Sequence, residues 1–148
     1  TMPVSAISAA KRLCSQSHWT LTNLKLQKLL YIANMAHLGE HGRPLIDGSF
    51  EAWDYGPVVP EVYRHVKAFG SDPIGNIFRL VPDLPEGSER TALDDTLLSL
   101  GSETAGKLVA ITHWENGAWA SHYVPGRRGI RIPTADIATE FNRRMGND

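Results

Sequence analysis

Apolar side chains return every three or four residues along most of this 148-residue chain. Between Pro3 and about Ser17, Ile7, Ala10 and Cys14 fall on one face, which predicts an amphipathic helix. The same spacing predicts further helices over residues 60–69, 92–100, 103–114, 118–123 and 135–145. The pattern therefore indicates a mainly α-helical chain.

The strongest helical signal follows Thr22, whose hydroxyl suits an N-cap. An i, i+3, i+4, i+7 stripe is formed by Leu26, Leu29, Leu30 and Ala33. Lys25 and Lys28 lie off this stripe, so we expect both to remain in solvent. Gly39 interrupts the pattern and predicts that the helix ends near this point, leaving His41 beyond it.

Two short segments alternate as strands do, one near residues 49–54 and one near 129–133. Gly56-Pro57 is expected to end the first of them. An isolated strand leaves its backbone groups unpaired, so we expect the two to form a small two-stranded antiparallel ribbon. Residues 71–91 lose periodicity and predict an irregular surface excursion. The predicted architecture is a single compact helical domain over residues 1–148 with this ribbon.

Composition narrows the possible functions. With 15 basic and 16 acidic residues the net charge is −1, which argues against nucleic acid as a partner despite the arginines at 127, 128 and 131. Cys14 is the only cysteine, so an intrachain disulfide is impossible, and a reducing, cytoplasmic location is expected. No apolar run approaches the roughly 20 residues needed to cross a bilayer, so we expect no membrane association.

Two histidine groups raise the alternative of a metal-dependent hydrolase. His37, Glu40 and His41 match an H-x-x-E-H pattern, but the glycine inside it makes a shared helical face doubtful. His113 and His122 form the second group, and no nucleophile motif accompanies them. We therefore predict a protein that has no catalytic residues and binds no metal or cofactor. A metal-dependent hydrolase is the alternative hypothesis.

Four segments in a fixed order carry a family resemblance: residues 25–33 (KLQKLLYIA), 50–63 (FEAWDYGPVVPEVY), 112–119 and 137–141. Together they resemble the Panacea-domain family of antitoxins, which includes SocA-like and phage-associated GepA-like proteins. The resemblance covers about residues 5–143 and leaves 71–91 unmatched. The chain departs from the pattern at Ala118, where a proline is expected before the tryptophan.

The resemblance implies an antitoxin that neutralises a cognate toxin by direct contact. In the SocA-like branch of the family, it also implies an adaptor that delivers the toxin to the ClpXP protease. Tyrosine and tryptophan dominate binding hot spots, and prolines reduce the entropy lost on docking. The candidate partner-binding residues are Trp53, Tyr55, Pro57, Val58, Val59, Tyr63 and Trp119. The candidate structural signature is Lys25, Gln27, Lys28, Tyr31, Gly56, Pro60 and His113. The first set could equally determine the fold, since aromatic residues usually lie in cores.

Overall fold

The computed structural model describes residues 3–147. Its helices are α1 (Ala6–Gln16), α2 (Asn23–His41), α3 (Pro60–Val66), α4 (Ser88–Leu100), α5 (Ala105–Thr112), α6 (Ala118–His122) and α7 (Thr134–Arg144). A 3-10 turn, Lys67–Phe69, follows α3. Its strands are β1 (Val4–Ser5), β2 (Ile46–Asp47), β3 (Phe50–Trp53), β4 (Gly56–Val58) and β5 (Arg131–Ile132). The prediction of a mainly α-helical fold is confirmed.

Helix α2 is the centre of the molecule. It contacts α1, α3, α4, α5, α7 and β4, so nearly every face of it is covered. Thr22 caps it as predicted, accepting a hydrogen bond from the backbone N–H of Lys25. The expectation that Lys28 is solvated was wrong, because Lys28 is fully buried. Lys25 is half-buried, and its ammonium donates to the Gly101 carbonyl over 2.9 Å.

Helix α2 also runs further than its sequence pattern indicates. It continues through Gly39 to His41, and Gly42 ends it in a left-handed conformation with φ of 73°. The prediction that His41 lies beyond the helix was therefore wrong. Gly39 is required by packing, since a Cβ there would lie 2.2 Å from a ring carbon of Phe141 on α7. The glycine permits close approach of two helices instead of breaking one.

Gly39→Ala is expected to lower the free energy of unfolding by about 1–3 kcal/mol, because the added methyl overpacks the contact with Phe141. Gly106→Ala in α5 is the matched control, since nothing lies within 4 Å of a Cβ there. That variant should be stabilised by up to about 1 kcal/mol through helix propensity. Urea denaturation measures both changes, and equal effects from the two variants would contradict the packing argument.

The predicted antiparallel ribbon is present and is extended by one strand. β3 pairs with β5 in the register Phe50 to Ile132, which confirms the predicted pairing. The chain then turns at Asp54 and Tyr55 and returns as β4, so the sheet order is β4-β3-β5. Gly56-Pro57, expected to end a strand, begins one instead. A separate parallel pair of β1 and β2 was not predicted.

Residues 71–87 contain no helix or strand. Ile74, Phe78 and Leu84 are nevertheless buried and attach the segment to the core. Helix α4 begins at Ser88, earlier than its sequence pattern indicates. Within residues 3–147, no helix has the length and apolar character to cross a membrane. The assignment of all 148 residues to one domain stays a prediction.

Candidate partner-binding site

An open cleft of about 490 Å³ lies where the start of α2, the β3–β4 turn, α3 and the loop at 126–128 meet. We call it the aromatic cleft. It is lined by Asn23, Leu24, Gln27, Lys28, Trp53, Asp54, Tyr55, Val58, Tyr63, Gly70, Ser71, Gly126, Arg127 and Arg128. Its volume falls in the range of sites that hold a ligand or several side chains.

One wall of the cleft is a pair of aromatic rings under an arginine. Trp53 and Tyr63 pack edge to face with ring centroids 4.8 Å apart. The guanidinium carbon of Arg128 lies 3.9 Å from the Trp53 ring centroid and 5.5 Å from that of Tyr63. Such cation–π contacts are worth about 0.5–1 kcal/mol at exposed sites. The wall thus joins apolar area with a positive charge.

Tyr55 projects from the tip of the β3–β4 turn and is 70% exposed. The neighbouring Asp54 accepts hydrogen bonds from the Tyr123 hydroxyl, over 2.7 Å, and from the Gly126 backbone N–H, over 3.4 Å. The Tyr123 hydrogen bond is the main reason that the pKa of Asp54 is lowered. These bonds hold the turn against the opposite loop, so Tyr55 is presented from a fixed backbone.

The base of the cleft contains the buried Lys28. Its ammonium donates to the Pro57 carbonyl over 2.8 Å, and burial lowers its pKa to about 7. Beside it, the Gln27 side-chain carbonyl accepts from the Val59 backbone N–H over 2.8 Å. Gly56 is required here, because a Cβ would lie 2.8 Å from the Lys28 side chain and φ is 116°. Two side chains of α2 therefore hold β4 and Val59, the residue that follows it.

Behind the cleft, three rings form a continuous stack. Trp119 lies between His113, with ring centroids 3.7 Å apart, and Tyr123, at 4.5 Å. The indole N–H of Trp119 donates to the Trp53 carbonyl over 2.7 Å. Burial lowers the pKa of His113, whose Nε2 is buried without a hydrogen-bond partner. The stack supports the strand that carries the aromatic wall.

The structure divides the candidate partner-binding residues by exposure. Tyr55 is exposed and Tyr63 is half-buried, so both are accessible from solvent. The buried members are Trp53, Pro57, Val58, Val59 and Trp119. Their roles in binding stay predictions.

Most residues of the candidate structural signature are also buried. Gln27, Lys28, Tyr31 and Gly56 are buried, while Lys25, Pro60 and His113 are half-buried. Pro60 is the first residue of α3, as its missing N–H favours. The Tyr31 hydroxyl donates to the buried carboxylate of Glu140 over 2.7 Å. That Glu140 lies in the core was missed, since a glutamate in an amphipathic helix looks solvated.

The candidate histidines do not form one centre. His37 is buried, with Nδ1 2.9 Å from the Arg43 carbonyl oxygen and Nε2 2.8 Å from the Ser88 hydroxyl oxygen. Its ring lies 4.7 Å from that of His41. His122 pairs with Asp136 over 2.6 Å. Among residues 3–147, no three or more histidines, cysteines or acidic residues are grouped so as to hold a metal ion.

The matched family defines the class of protein. Residues 26–120 match the family described as Antitoxin SocA-like, Panacea domain, and the chain belongs to this family. The matched residues include most of α2 and the whole β3–β4 turn, whereas Arg127 and Arg128 lie beyond them.

The chain is similar to a protein named Antitoxin SocA from Caulobacter vibrioides (strain NA1000 / CB15N). The two are 40% identical over 114 residues, which are 67% of this chain and 58% of that protein. The chain therefore spans less than two thirds of the length of this relative. No solved structure matches the chain.

Proposed function

We propose that the chain is an antitoxin that neutralises a cognate toxin by binding it directly, with the aromatic cleft as the contact surface. Membership of the antitoxin family supports the role. The assignment of the contact surface rests on the exposure of Tyr55. This large aromatic side chain is 70% exposed at the mouth of the cleft. An exposed aromatic residue beside a concave surface is typical of a protein-binding hot spot.

Rigidity is the second physical support for this surface. Asp54 is tied to Tyr123 and Gly126, and β4 is held by Gln27 and Lys28. A contact surface that is already ordered loses little conformational entropy when a partner docks. A specific interface buries about 1,600 Å² in total, of which the cleft and its rim supply the centre.

We also propose that the chain acts without catalysis of its own, in the cytoplasm. Its free cysteine is buried, and burial raises the pKa of this thiol to about 12, so Cys14 is not a reactive nucleophile. His37 and His122 are engaged by Ser88 and Asp136. The first bond joins α2 to α4 and the second joins α6 to α7, so both histidines have structural roles. Structural roles for these histidines favour a binding protein over a hydrolase.

The proposal predicts that the toxin is encoded by the adjoining gene. Tyr55→Ala is expected to weaken binding of this gene product by about thirtyfold, the loss typical of a hot-spot residue. The free energy of unfolding should change by less than about 0.5 kcal/mol, because the side chain is exposed. Isothermal titration calorimetry on the copurified partner measures the first change, and urea denaturation measures the second.

Leu98→Ala is the matched control, since Leu98 is 87% exposed on α4 and does not line the aromatic cleft. It should leave the affinity unchanged. If the two variants lose the same affinity, or if Tyr55→Ala loses none, the toxin contacts another surface. Failure of the two gene products to form any complex would contradict the antitoxin role itself.

The family resemblance also implies that the chain delivers its toxin to the ClpXP protease, and we propose this adaptor role for it. Purified ClpXP should degrade the toxin faster when the chain is added. Unchanged degradation of a toxin that the chain binds would remove the adaptor role and leave neutralisation standing.

A further inference from the structure

The guanidinium of Arg128 is positioned by two aromatic rings at the rim of the aromatic cleft. Its central carbon lies 3.9 Å from the ring centroid of Trp53 and 5.5 Å from that of Tyr63. Among residues 3–147, no carboxylate forms an ion pair with Arg128, and no oxygen accepts a hydrogen bond from its guanidinium. A guanidinium that lies over a ring keeps its N–H donors for other acceptors. Arg128 is exposed, so these donors are accessible from solvent.

The accessible charge at this rim is positive. Arg127 is also exposed and also lines the cleft. The carboxylate among the lining residues belongs to Asp54, which accepts hydrogen bonds from the Tyr123 hydroxyl and the Gly126 backbone N–H. These two bonds lower the pKa of Asp54 more than Arg128 does. The chain as a whole carries −1, so the positive rim is a local feature that complements an acidic group.

The cleft beneath the rim offers apolar contacts to the neighbours of such a group. Leu24 near the start of α2 and Val58 at the end of β4 line it, together with the rings of Trp53 and Tyr63. Its volume of about 490 Å³ exceeds the need of one carboxylate and accommodates several side chains. The cleft is open to solvent, so its occupant need not end there. These features fit a length of polypeptide that carries an acidic residue among apolar ones.

We propose that the aromatic cleft binds a surface segment of the partner protein in which an aspartate or glutamate has apolar neighbours, and that Arg128 pairs with the acidic side chain. This inference rests on the proposed function and adds the chemistry of the contacted segment. A guanidinium and a carboxylate form two parallel hydrogen bonds in one plane. Because Arg128 already lies on the rings, it loses little side-chain entropy when the pair forms. Arg127 adds to the positive potential that attracts the segment.

Arg128→Met tests the role of the charge. Methionine keeps an unbranched apolar side chain over the rings but has no charge and no N–H donor. Isothermal titration calorimetry with the adjoining gene product in 50 mM NaCl should show affinity about tenfold weaker than that of the wild type. Arg79→Met is the matched control, since Arg79 is exposed and does not line the cleft. It removes the same charge and should weaken binding less than about twofold.

A double-mutant cycle identifies the acidic partner of Arg128. Each aspartate or glutamate of the gene product is changed to asparagine or glutamine, and each variant is titrated against the wild-type chain and against Arg128→Met. One of these substitutions should weaken binding to the wild-type chain by about tenfold and cause no further loss with Arg128→Met. Raising the salt concentration to 500 mM should weaken binding to the wild-type chain more than binding to Arg128→Met, because salt screens an exposed ion pair.

Equal affinity of Arg128→Met and Arg79→Met would overturn the inference, and so would a loss in Arg128→Met that is coupled to no acidic side chain of the gene product. A variant of the gene product with two glycines added at its carboxyl terminus separates a chain end from a side chain. If only this extension is coupled to Arg128, a terminal carboxylate occupies the cleft and the inference is wrong. In each of these cases the complex, and its sensitivity to Tyr55→Ala, would still support the proposed function. The absence of any complex would overturn the proposed function and this inference with it.

Discussion

Replacing Glu140 by alanine is expected to lower the free energy of unfolding by about 3–5 kcal/mol. Glu140 is 1% exposed, and its carboxylate accepts hydrogen bonds from the Tyr31 hydroxyl (2.7 Å) and the Ala118 backbone N–H (3.0 Å). Its other oxygen lies 2.7 Å from Nη2 of Arg144. Alanine removes all of these acceptors at once and leaves a partly buried guanidinium without its counter-ion. Urea denaturation at neutral pH measures the loss.

Glu140→Gln separates the effect of charge from that of shape. The amide occupies nearly the same volume, and its carbonyl oxygen can accept from both Tyr31 and Ala118, which donate to the same oxygen of Glu140. Its NH₂ group then faces the guanidinium of Arg144, where the second carboxylate oxygen had been. We expect it to cost about 1–3 kcal/mol, less than alanine. If alanine costs less than 1 kcal/mol, Glu140 does not join α2, α6 and α7 as described.

Trp119→Ala should have a similarly large effect, about 3–5 kcal/mol, the range for removing a buried aromatic side chain. Trp119 is 8% exposed, stacks between His113 and Tyr123, and donates to the Trp53 carbonyl. Its loss leaves a cavity behind β3 and removes the indole hydrogen bond to the Trp53 carbonyl, in the strand that forms the aromatic wall. Thermal or urea unfolding provides the measurement.

Trp119→Phe is the informative companion to this variant. Phenylalanine keeps a ring in the stack but cannot donate to the Trp53 carbonyl, so we expect a loss of about 1–2 kcal/mol from the missing hydrogen bond. If the alanine and phenylalanine variants lose the same stability, the hydrogen bond is the important contribution and the ring stack is not.

Most of the elements that were predicted correctly depend on residues close together in the sequence. The stripe of leucines in α2 and the hydroxyl of Thr22 act within a few residues, and both are seen in the structure. The pairing of β3 with β5 was predictable because isolated strands need partners. The predictions that the helix ends near Gly39 and that His41 lies beyond it were wrong. A glycine inside a helical pattern either ends the helix or permits another helix to approach closely. Only the ring of Phe141, about a hundred residues away, decides between them.

The burial of Lys28 had no sequence signal. A lysine off the apolar stripe normally faces solvent, but β4 and α5 pack on α2 here and bury this one. The return of the chain as β4 was unexpected, because Gly56-Pro57 was interpreted as a strand end. Arg128 and Tyr123 were missed as parts of the site for a related reason. They reach Trp53 and Asp54 across some seventy residues, a distance that spacing along the chain does not encode.

Hydrogen–deuterium exchange on the complex with the adjoining gene product shows whether the aromatic cleft is the surface that holds the partner protein. We expect amide protection on binding to concentrate at residues 54–56 and 126–128. Protection confined to the exposed apolar residues of other surfaces, such as Leu80 or Leu98, with exchange at the cleft unchanged, would contradict it.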